Sequence, residues 1–233
     1  MVNTIWKENF LIMCSKLCLN ARDSGHFAQL LLICRNYSLQ TLCGAPHNVC
    51  HEAGGERGIA MKLFHTALVL GKGGFGTQLG EMLAEAGGYS RILYLDDQAP
   101  DAAGKLADYL DPTIRERCTA AFVGLGNNEL RLQWLQKLVA AGYQTPVFEH
   151  PAAEVCSSAA LGAGTVVLPF AFVGAGTKVG AGCIINAGAI VDHNAVLEDG
   201  VHAAPRATIK AGATVERCMK VDSGEITRSP WEK

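Results

Sequence analysis

Two histidines in the C-terminal third of the chain, His193 and His202, carry side chains suited to proton transfer. Imidazole titrates near neutral pH, so it can take up or release a proton under physiological conditions. Both histidines fall between the regularly spaced aliphatic residues described below, which predicts that they lie outside the core. A lone histidine is more often a solvated or packed side chain, so these two residues need a fold that places them in a site.

A glycine-rich segment, Gly71 to Gly76, follows the apolar run Ala67 to Leu70 and precedes apolar residues at helical spacing. This order predicts a strand, a tight turn and a helix. Glycines in such a turn let backbone N–H groups approach an anion at the helix N-terminus. A second apolar strand, Ile92 to Leu95, ends at Asp96 and Asp97, where such folds often bind a ribose or a base. The alternative is a tight turn that binds no ligand.

A third apolar strand, Ala120 to Leu125, leads into Gly126 and then into the helical pattern from Leu130 to Val139. Alternating strands and helices predict a small parallel sheet covered by helices, a Rossmann-like α/β domain over residues 61–150. This segment is shorter than a full dinucleotide-binding fold. We therefore expect it to bind a mononucleotide group.

The remaining part of the chain follows a period of six. Small residues recur in most hexads, and glycine recurs where corners need a permissive backbone. Three hexads make one triangular coil, which predicts a left-handed parallel β-helix of about four coils over residues 151–226, with a tail at 227–233. Its flat sides are expected to pack against copies of the chain, giving a homotrimer. The twelve aliphatic positions are Val155, Leu161, Val167, Val173, Val179, Ile185, Val191, Leu197, Ala203, Ile209, Val215 and Val221.

The segments from Ile184 to Asn194 and from Val201 to Pro205 resemble the sugar acyltransferases of the sialic-acid and bacillosamine pathways. The glycine turn, the Asp96-Asp97 pair, the run from Gly126 to Arg131 and the dipeptide His150-Pro151 resemble that family in the same order. The similarity extends over nearly everything from residue 61 to about residue 215. It implies a nucleotide-sugar-binding domain joined to a left-handed β-helix.

What the resemblance implies is transfer of an acetyl group from acetyl-CoA to a nucleotide-sugar, with no metal. His193 matches the family's general base, with Asn194 and Asn186 in supporting positions, and His202 matches a histidine that contacts acetyl-CoA. Direct attack of the sugar amine or hydroxyl on the thioester needs no covalent enzyme intermediate. The positions that match the family's nucleotide-sugar contacts are Gly73, Gly74, Phe75, Asp96, Asp97 and Gly126.

The chain also departs from the family's pattern. Many relatives have an acidic residue after the catalytic histidine, whereas Asn194 can orient an imidazole but cannot stabilise its cation by charge. In the glycine turn, Phe75 replaces a frequent histidine and Lys72 replaces a small residue. Relatives continue for further coils, whereas the repeat here decays after Val215, and we expect Trp231 to cap the open end of the prism.

The composition narrows the classes of partner. Twenty basic and 22 acidic residues give a net charge of −2, which does not favour nucleic acid or an anionic membrane. No apolar run is long enough to span a bilayer, and none has the pattern of a signal peptide. Four scattered cysteines after residue 61 are typical of small buried residues in a reduced cytoplasmic protein. We therefore expect a cytoplasmic location.

Residues 1–60 have a separate interpretation. Five cysteines and three histidines lie in this segment, but their spacing lacks the tight pairs of a structural zinc site. Met61 directly precedes the first predicted strand, and Gly54 to Gly58 must have purine-rich codons that could hold a ribosome-binding site. We therefore hypothesise that translation starts at Met61 and that residues 1–60 are an extension outside the natural protein.

Three functions remain open from the sequence. The leading hypothesis is an acetyltransferase that acts on a nucleotide-linked amino sugar, with the sugar, the acyl chain and the choice of nitrogen or oxygen undetermined. The second is a non-catalytic trimer that binds a nucleotide-sugar as a scaffold or regulator. The third is a metal-dependent hydratase of the carbonic-anhydrase type, which needs three histidine ligands per site, whereas only His193 and His202 lie on the repeat.

Overall fold

The computed structural model describes residues 66–86 and 88–231. Its N-terminal part holds three parallel strands, β1 (Thr66–Leu70), β2 (Arg91–Leu95) and β3 (Cys118–Val123), in the order β2-β1-β3. Helix α1 (Gly74–Glu85) follows β1, a 3-10 helix (Leu106–Leu110) and helix α2 (Pro112–Arg117) lie between β2 and β3, and helix α3 (Asn128–Ala140) follows β3. The hypotheses for residues 1–60 lie outside the described residues.

Helices cover both faces of this N-terminal sheet, because the strands of a parallel sheet are apolar on both sides and must be buried on both. The core on one face contains Leu79 and Leu83 of α1, and the core on the other face contains Leu135 and Leu138 of α3. The central strand β1 is buried along its whole length. The predicted α/β architecture is therefore confirmed.

The buried stripe of α3 differs from the apolar residues that mark the helix in the sequence. Leu130 and Val139 are exposed, whereas Arg131 and Leu132 are buried beside Leu135. A charged residue thus occupies a core position of this helix.

The second part of the chain is a prism of two-residue strands in three parallel sheets. Paired residues lie 18 positions apart, so each coil contains three hexads, as the period of six predicts. Sheet I has the order β16-β13-β10-β7-β4, sheet II the order β14-β11-β8-β5, and sheet III the order β15-β12-β9-β6. The strands are β4 (Phe148–Glu149), β5 (Glu154–Val155), β6 (Ala160–Leu161), β7 (Val166–Val167), β8 (Phe172–Val173), β9 (Lys178–Val179), β10 (Ile184–Ile185), β11 (Ile190–Val191), β12 (Val196–Leu197), β13 (His202–Ala203), β14 (Thr208–Ile209), β15 (Thr214–Val215) and β16 (Lys220–Val221).

From β5 to β16, the second residue of each strand points into the prism. From Val167 to Val221 the aliphatic positions of the repeat form one buried cluster, with Val155 and Leu161 packed against it at the first coil. Small residues such as Ala171, Ala189 and Ala207 fill the corners of the same cluster. The predicted left-handed β-helix is confirmed.

The outer face of sheet I packs against the N-terminal sheet. Val166, Leu168 and Ile184 lie in the same apolar cluster as Val69 and Phe122. The two parts of the chain therefore share a core, and the residues at the ends of β1 to β3 have fixed positions relative to the first coils.

The last coil ends in a segment that crosses the end of the prism. Thr208 pairs with Ile226, and the indole of Trp231 lies over Gly212, where its ring carbons occupy the space that a side chain at 212 would need. Trp231 covers the corner of the prism end at Gly212, and its own side chain is 66% exposed. Within the described residues, no helix is long and apolar enough to cross a membrane.

Candidate active site

A cleft of about 480 Å³ opens at the carboxyl ends of β1, β2 and β3, where parallel sheets bind ligands. All six predicted nucleotide-sugar contacts line this cleft. Gln98, Leu106, Gly124 and Leu125 complete it. Three of these are sequence neighbours of Asp97 or Gly126, whereas no sequence signal marks Leu106, which lies nine positions from Asp97. The full lining is Gly73, Gly74, Phe75, Asp96, Asp97, Gln98, Leu106, Gly124, Leu125 and Gly126.

The N-terminus of α1 forms one wall of the cleft. Gly73 is the N-cap and has an extended backbone, with φ −70° and ψ −176°, and no side chain caps the helix. A Cβ at Gly73 or Gly74 would meet no atom within 4 Å, so there is open space beside this turn, whose backbone N–H groups begin the helix. The helix dipole and these donors favour an anionic group such as a phosphate at this position.

Asp96 also lines the cleft and is hydrogen-bonded to the glycine turn. Its Oδ2 accepts a hydrogen bond from the backbone N–H of Lys72 at 2.7 Å, and its Oδ1 accepts two more from Gln98 and Ala99, each at 2.8 Å. These backbone bonds, that of Lys72 first, lower the pKa of the Asp96 carboxyl group. Asp97 accepts one bond at Oδ1, from the N–H of Leu106 at 3.0 Å.

Lys72, which replaces a small residue of the family's turn, contacts the loop after β2 and the ring of Tyr94. Its ammonium group forms an ion pair with Asp101 at 2.6 Å and lies 5.2 Å from the ring centre of Tyr94. The Nζ atom also donates to the carbonyl oxygen of Asp101 at 3.1 Å. Lys72 thereby ties the glycine turn to the loop after β2.

His193 lies at the corner between sheets II and III and is exposed. Its Nδ1 is 3.0 Å from Nδ2 of Asn194, which has a left-handed backbone with φ 56°. Asp192 does not contact the imidazole in this way, because its Oδ1 accepts from the backbone N–H of His193 at 2.7 Å. The side chain of Asn194 thus holds one ring nitrogen, and the other, Nε2, faces away from that contact.

His202 lies on the outer face of sheet I and is half-buried. Its Nε2 is 3.1 Å from Nδ2 of Asn186, and the amide oxygen of Asn186 accepts from the N–H of Ala187 at 2.8 Å. Burial, and then the positive charges of Arg131 and Lys220, lower the pKa of His202 to about 4. The imidazole is therefore neutral at neutral pH, and its Nε2 accepts the amide proton of Asn186.

Within one chain the predicted residues form three groups. The cleft holds the nucleotide-sugar residues, His193 pairs with Asn194, and Asn186 contacts His202 although the resemblance links it to His193. The corner of His193 and the corner of Asn186 flank the same sheet, sheet II. Across the described part of the chain, no three His, Cys, Asp or Glu side chains come together as metal ligands.

Comparison with known proteins gives the context for this geometry. The PglD N-terminal domain family matches residues 66–138. No curated protein matches the chain. The acetyltransferase domain of PglB from Neisseria gonorrhoeae, solved in complex with acetyl coenzyme A, is 31% identical, and the match covers 70% of this chain and 87% of that chain with a TM-score of 0.59.

Two further solved structures share the architecture. PerB from Caulobacter crescentus, in complex with CoA and GDP-perosamine, is 25% identical, with 70% of this chain and 89% of that chain covered and a TM-score of 0.56. WeeI from Acinetobacter baumannii is 18% identical over 70% of this chain and 88% of that chain, with a TM-score of 0.53, and shows the likeness of fold alone. By its match to PglB and to the PglD N-terminal domain, the chain belongs to the nucleotide-sugar acyltransferases of the hexapeptide-repeat type.

Proposed function

We propose that the protein transfers the acetyl group of acetyl-CoA to the amine of a nucleotide-linked sugar, with His193 as the general base. The observation that carries the proposal is the cleft at the end of the N-terminal sheet, which gathers all six residues expected to bind the nucleotide-sugar. PglB was solved with acetyl coenzyme A, and PerB with CoA and GDP-perosamine. Those ligands suit the same chemistry in this chain.

The reaction needs one proton acceptor and one oxyanion site. The lone pair of the sugar amine attacks the thioester carbon, and Nε2 of His193 takes the proton that the amine loses. The carbonyl oxygen becomes an oxyanion, which backbone N–H groups of a coil corner stabilise. The intermediate collapses, the C–S bond breaks, and the CoA thiolate leaves and takes up the proton from His193.

Asn194 supports the base through its side-chain amide. A base at Nε2 must carry its own proton at Nδ1, and that N–H needs an acceptor. The amide of Asn194 lies 3.0 Å from Nδ1, so a half-turn of the amide brings its oxygen to that nitrogen. In this arrangement Asn194 fixes the tautomer and the orientation of the ring but adds no charge.

Association of copies through sheet II completes the site in this proposal. The outer side of sheet II and its edge expose apolar side chains, with Phe170 77% exposed and Ile190 43% exposed beside Phe172. Exposed apolar surface of this kind is typical of a protein interface. His193 and Asn186 lie on the two edges of this sheet, so a cyclic homotrimer brings His193 of one copy toward Asn186 and His202 of the next. Among the residues that the structure describes, Cys118, Cys156, Cys183 and Cys218 are free thiols, which suits a reducing cytoplasm.

A thiol-release assay with acetyl-CoA and a panel of UDP-, GDP- and CMP-linked amino sugars tests the proposal. We expect at least one acceptor to release CoA, and the His193→Asn variant to lose about 10²- to 10⁴-fold in kcat. His150→Asn is the matched control, because the His150 imidazole contacts the N–H of Ala152 and the ring of Phe148 and does not line the cleft. Nucleotide binding with no CoA release from any acceptor would instead support a scaffold trimer.

A further inference from the structure

Arg131 is a buried cation whose partners are all carbonyl or amide oxygens. It is 2% exposed, and burial lowers its pKa to about 10, so it remains charged at neutral pH. Its Nε donates to the carbonyl oxygen of Gly182 at 2.8 Å, and its Nη2 donates to Gly200 at 2.8 Å and to Oδ1 of Asn128 at 2.9 Å. A guanidinium has five N–H groups in a fixed plane, which suits several acceptors at once.

The acceptors of Arg131 belong to two different parts of the molecule. Its Nη1 donates to the carbonyl oxygens of Leu125 at 3.1 Å and Gly126 at 3.5 Å, and both residues line the cleft. Gly182 and Gly200 lie at one corner of two successive coils, between sheets III and I. One planar group therefore joins the wall of the cleft to the β-helix.

Asn128 extends this contact to a third coil. Its Nδ2 donates to the carbonyl oxygen of Cys218 at 2.8 Å and to that of Met219 at 3.3 Å, while its Oδ1 accepts from Arg131. Gly200 is also only two residues from His202, the position predicted to contact acetyl-CoA. The clamp formed by Arg131 and Asn128 thus lies between the nucleotide-sugar cleft and the strand of His202.

Apolar contacts hold α3 on this corner independently of the clamp. A Cβ at Gly164 would lie 2.6 Å from Leu135 Cδ1, and a Cβ at Gly182 would lie 3.0 Å from Leu135 Cδ2. At Gly200 the nearest atom of Leu132 would be 3.4 Å away. The two leucines therefore pack closely on the glycine corner, and these apolar contacts do not depend on the hydrogen bonds of Arg131.

We propose that Arg131 is a positioning residue, which fixes the Leu125–Gly126 wall of the cleft relative to the coil that carries His202. This inference rests on the proposed function. The acceptor sugar is held by the cleft and the thioester by the β-helix, so their separation depends on the contact between these two parts. A misplacement of about 1 Å at the reacting atoms lowers the rate by about 10²-fold.

The Arg131→Lys variant tests the role. One ammonium keeps the charge but cannot reach the carbonyls of the cleft and of two coils together. We expect kcat to fall by about 30- to 100-fold, while KM for each substrate stays within about threefold, because Arg131 is buried and does not line the cleft. Arg115→Lys is the matched control, since Arg115 also donates to a carbonyl, that of Ala141 at 2.6 Å, but lies away from the cleft.

The outcomes separate the positioning role from the proposed function. An active wild type with an undiminished kcat in Arg131→Lys would overturn the positioning role alone, as would a loss confined to KM. A wild type that is inactive with every acceptor would overturn the proposed function and this role with it. If Arg131→Lys does not fold, Asn128→Ala replaces it, with an expected smaller fall in kcat, and a wild-type kcat in that variant would overturn the role.

Discussion

The substitution Gly76→Ala is expected to damage the fold, whereas Gly74→Ala, two residues away in the same turn, is expected to spare it. A Cβ at Gly76 would lie 2.1 Å from the carbonyl oxygen of Gly71 and 3.1 Å from that of Gly124. At Gly74 a Cβ would meet no atom within 4 Å. The same methyl group therefore has opposite consequences at the two positions.

The size of the effect follows from the distances. Real Cβ atoms essentially never approach below 3.0 Å, so the Gly76 backbone must move about 0.9 Å from Gly71, the difference between 3.0 and 2.1 Å. Overpacking of a rigid site lowers stability by about 1–3 kcal/mol. Gly74→Ala is expected to raise stability by about 0.4–1 kcal/mol, because alanine restricts the unfolded chain at a position it can adopt.

Urea unfolding at 25 °C measures the two free energies, and calorimetric titration with UDP, GDP and CMP measures binding to the cleft. We expect Gly74→Ala to weaken nucleotide binding without loss of stability, because its methyl group projects into the cleft, which Gly74 lines. Equal stabilities of Gly76→Ala and the wild type, or a larger loss of stability in Gly74→Ala, would refute the reasoning.

Two further predictions concern the β-helix. The pKa of His202 is about 4 in the folded chain and 6.5 in the reference state, so the unfolded chain binds more protons than the folded chain between these two pH values. The free energy of unfolding should therefore fall as the pH falls from about 6.5 toward 4. Urea unfolding across this window should show a flatter pH profile for His202→Asn than for the wild type, and identical profiles would count against the assigned burial. Thr177 is buried, and its Oγ1 donates to the carbonyl oxygen of Asp192 at 2.8 Å. Thr177→Val should therefore lower the free energy of unfolding by about 1–3 kcal/mol. The control Thr214→Val, at an exposed position, should change it by less than about 0.5 kcal/mol.

The β-helix was predictable because one physical requirement repeats along it. Each coil must place an aliphatic side chain in the prism at every sixth residue, and the positions from Val167 to Val221 are buried as expected. The coil corners likewise need left-handed backbone, and glycine marks most of these positions. Asn194 and Phe170 take the same conformation without being glycine, so composition alone does not identify every corner.

The cleft was predictable for a different reason. In a parallel sheet, the turns after neighbouring strands meet at one edge, so Gly73 after β1, Asp96 after β2 and Gly126 after β3 must lie close together. What each group does there was not predictable. The resemblance assigns Asp96 to the nucleotide-sugar, whereas its carboxylate accepts three backbone hydrogen bonds, because the folded loop brings N–H groups to both of its oxygens.

The sequence contains only a weak signal for the role of Arg131. Arg131, Leu135 and Leu138 have the spacing of one helix face, and a charged residue on such a face is unusual in a core. The carbonyl oxygens that accept from Arg131 come from residues up to 69 positions away, so no local pattern could identify them. Likewise, the contact of Asn186 with His202 depends on the stacking of coils.

The central claim is that His193 of one copy acts beside the Asn186 corner of the next copy. Its most direct test is co-expression of two inactive variants, His193→Asn and Asn186→Trp, the second chosen to block that corner, followed by thiol release from purified mixed oligomers. Random assembly should pair an intact His193 with an intact corner at about one quarter of the interfaces and restore about that share of the wild-type rate. Mixed oligomers as inactive as the two parents would show that the site lies within a single chain and contradict the account.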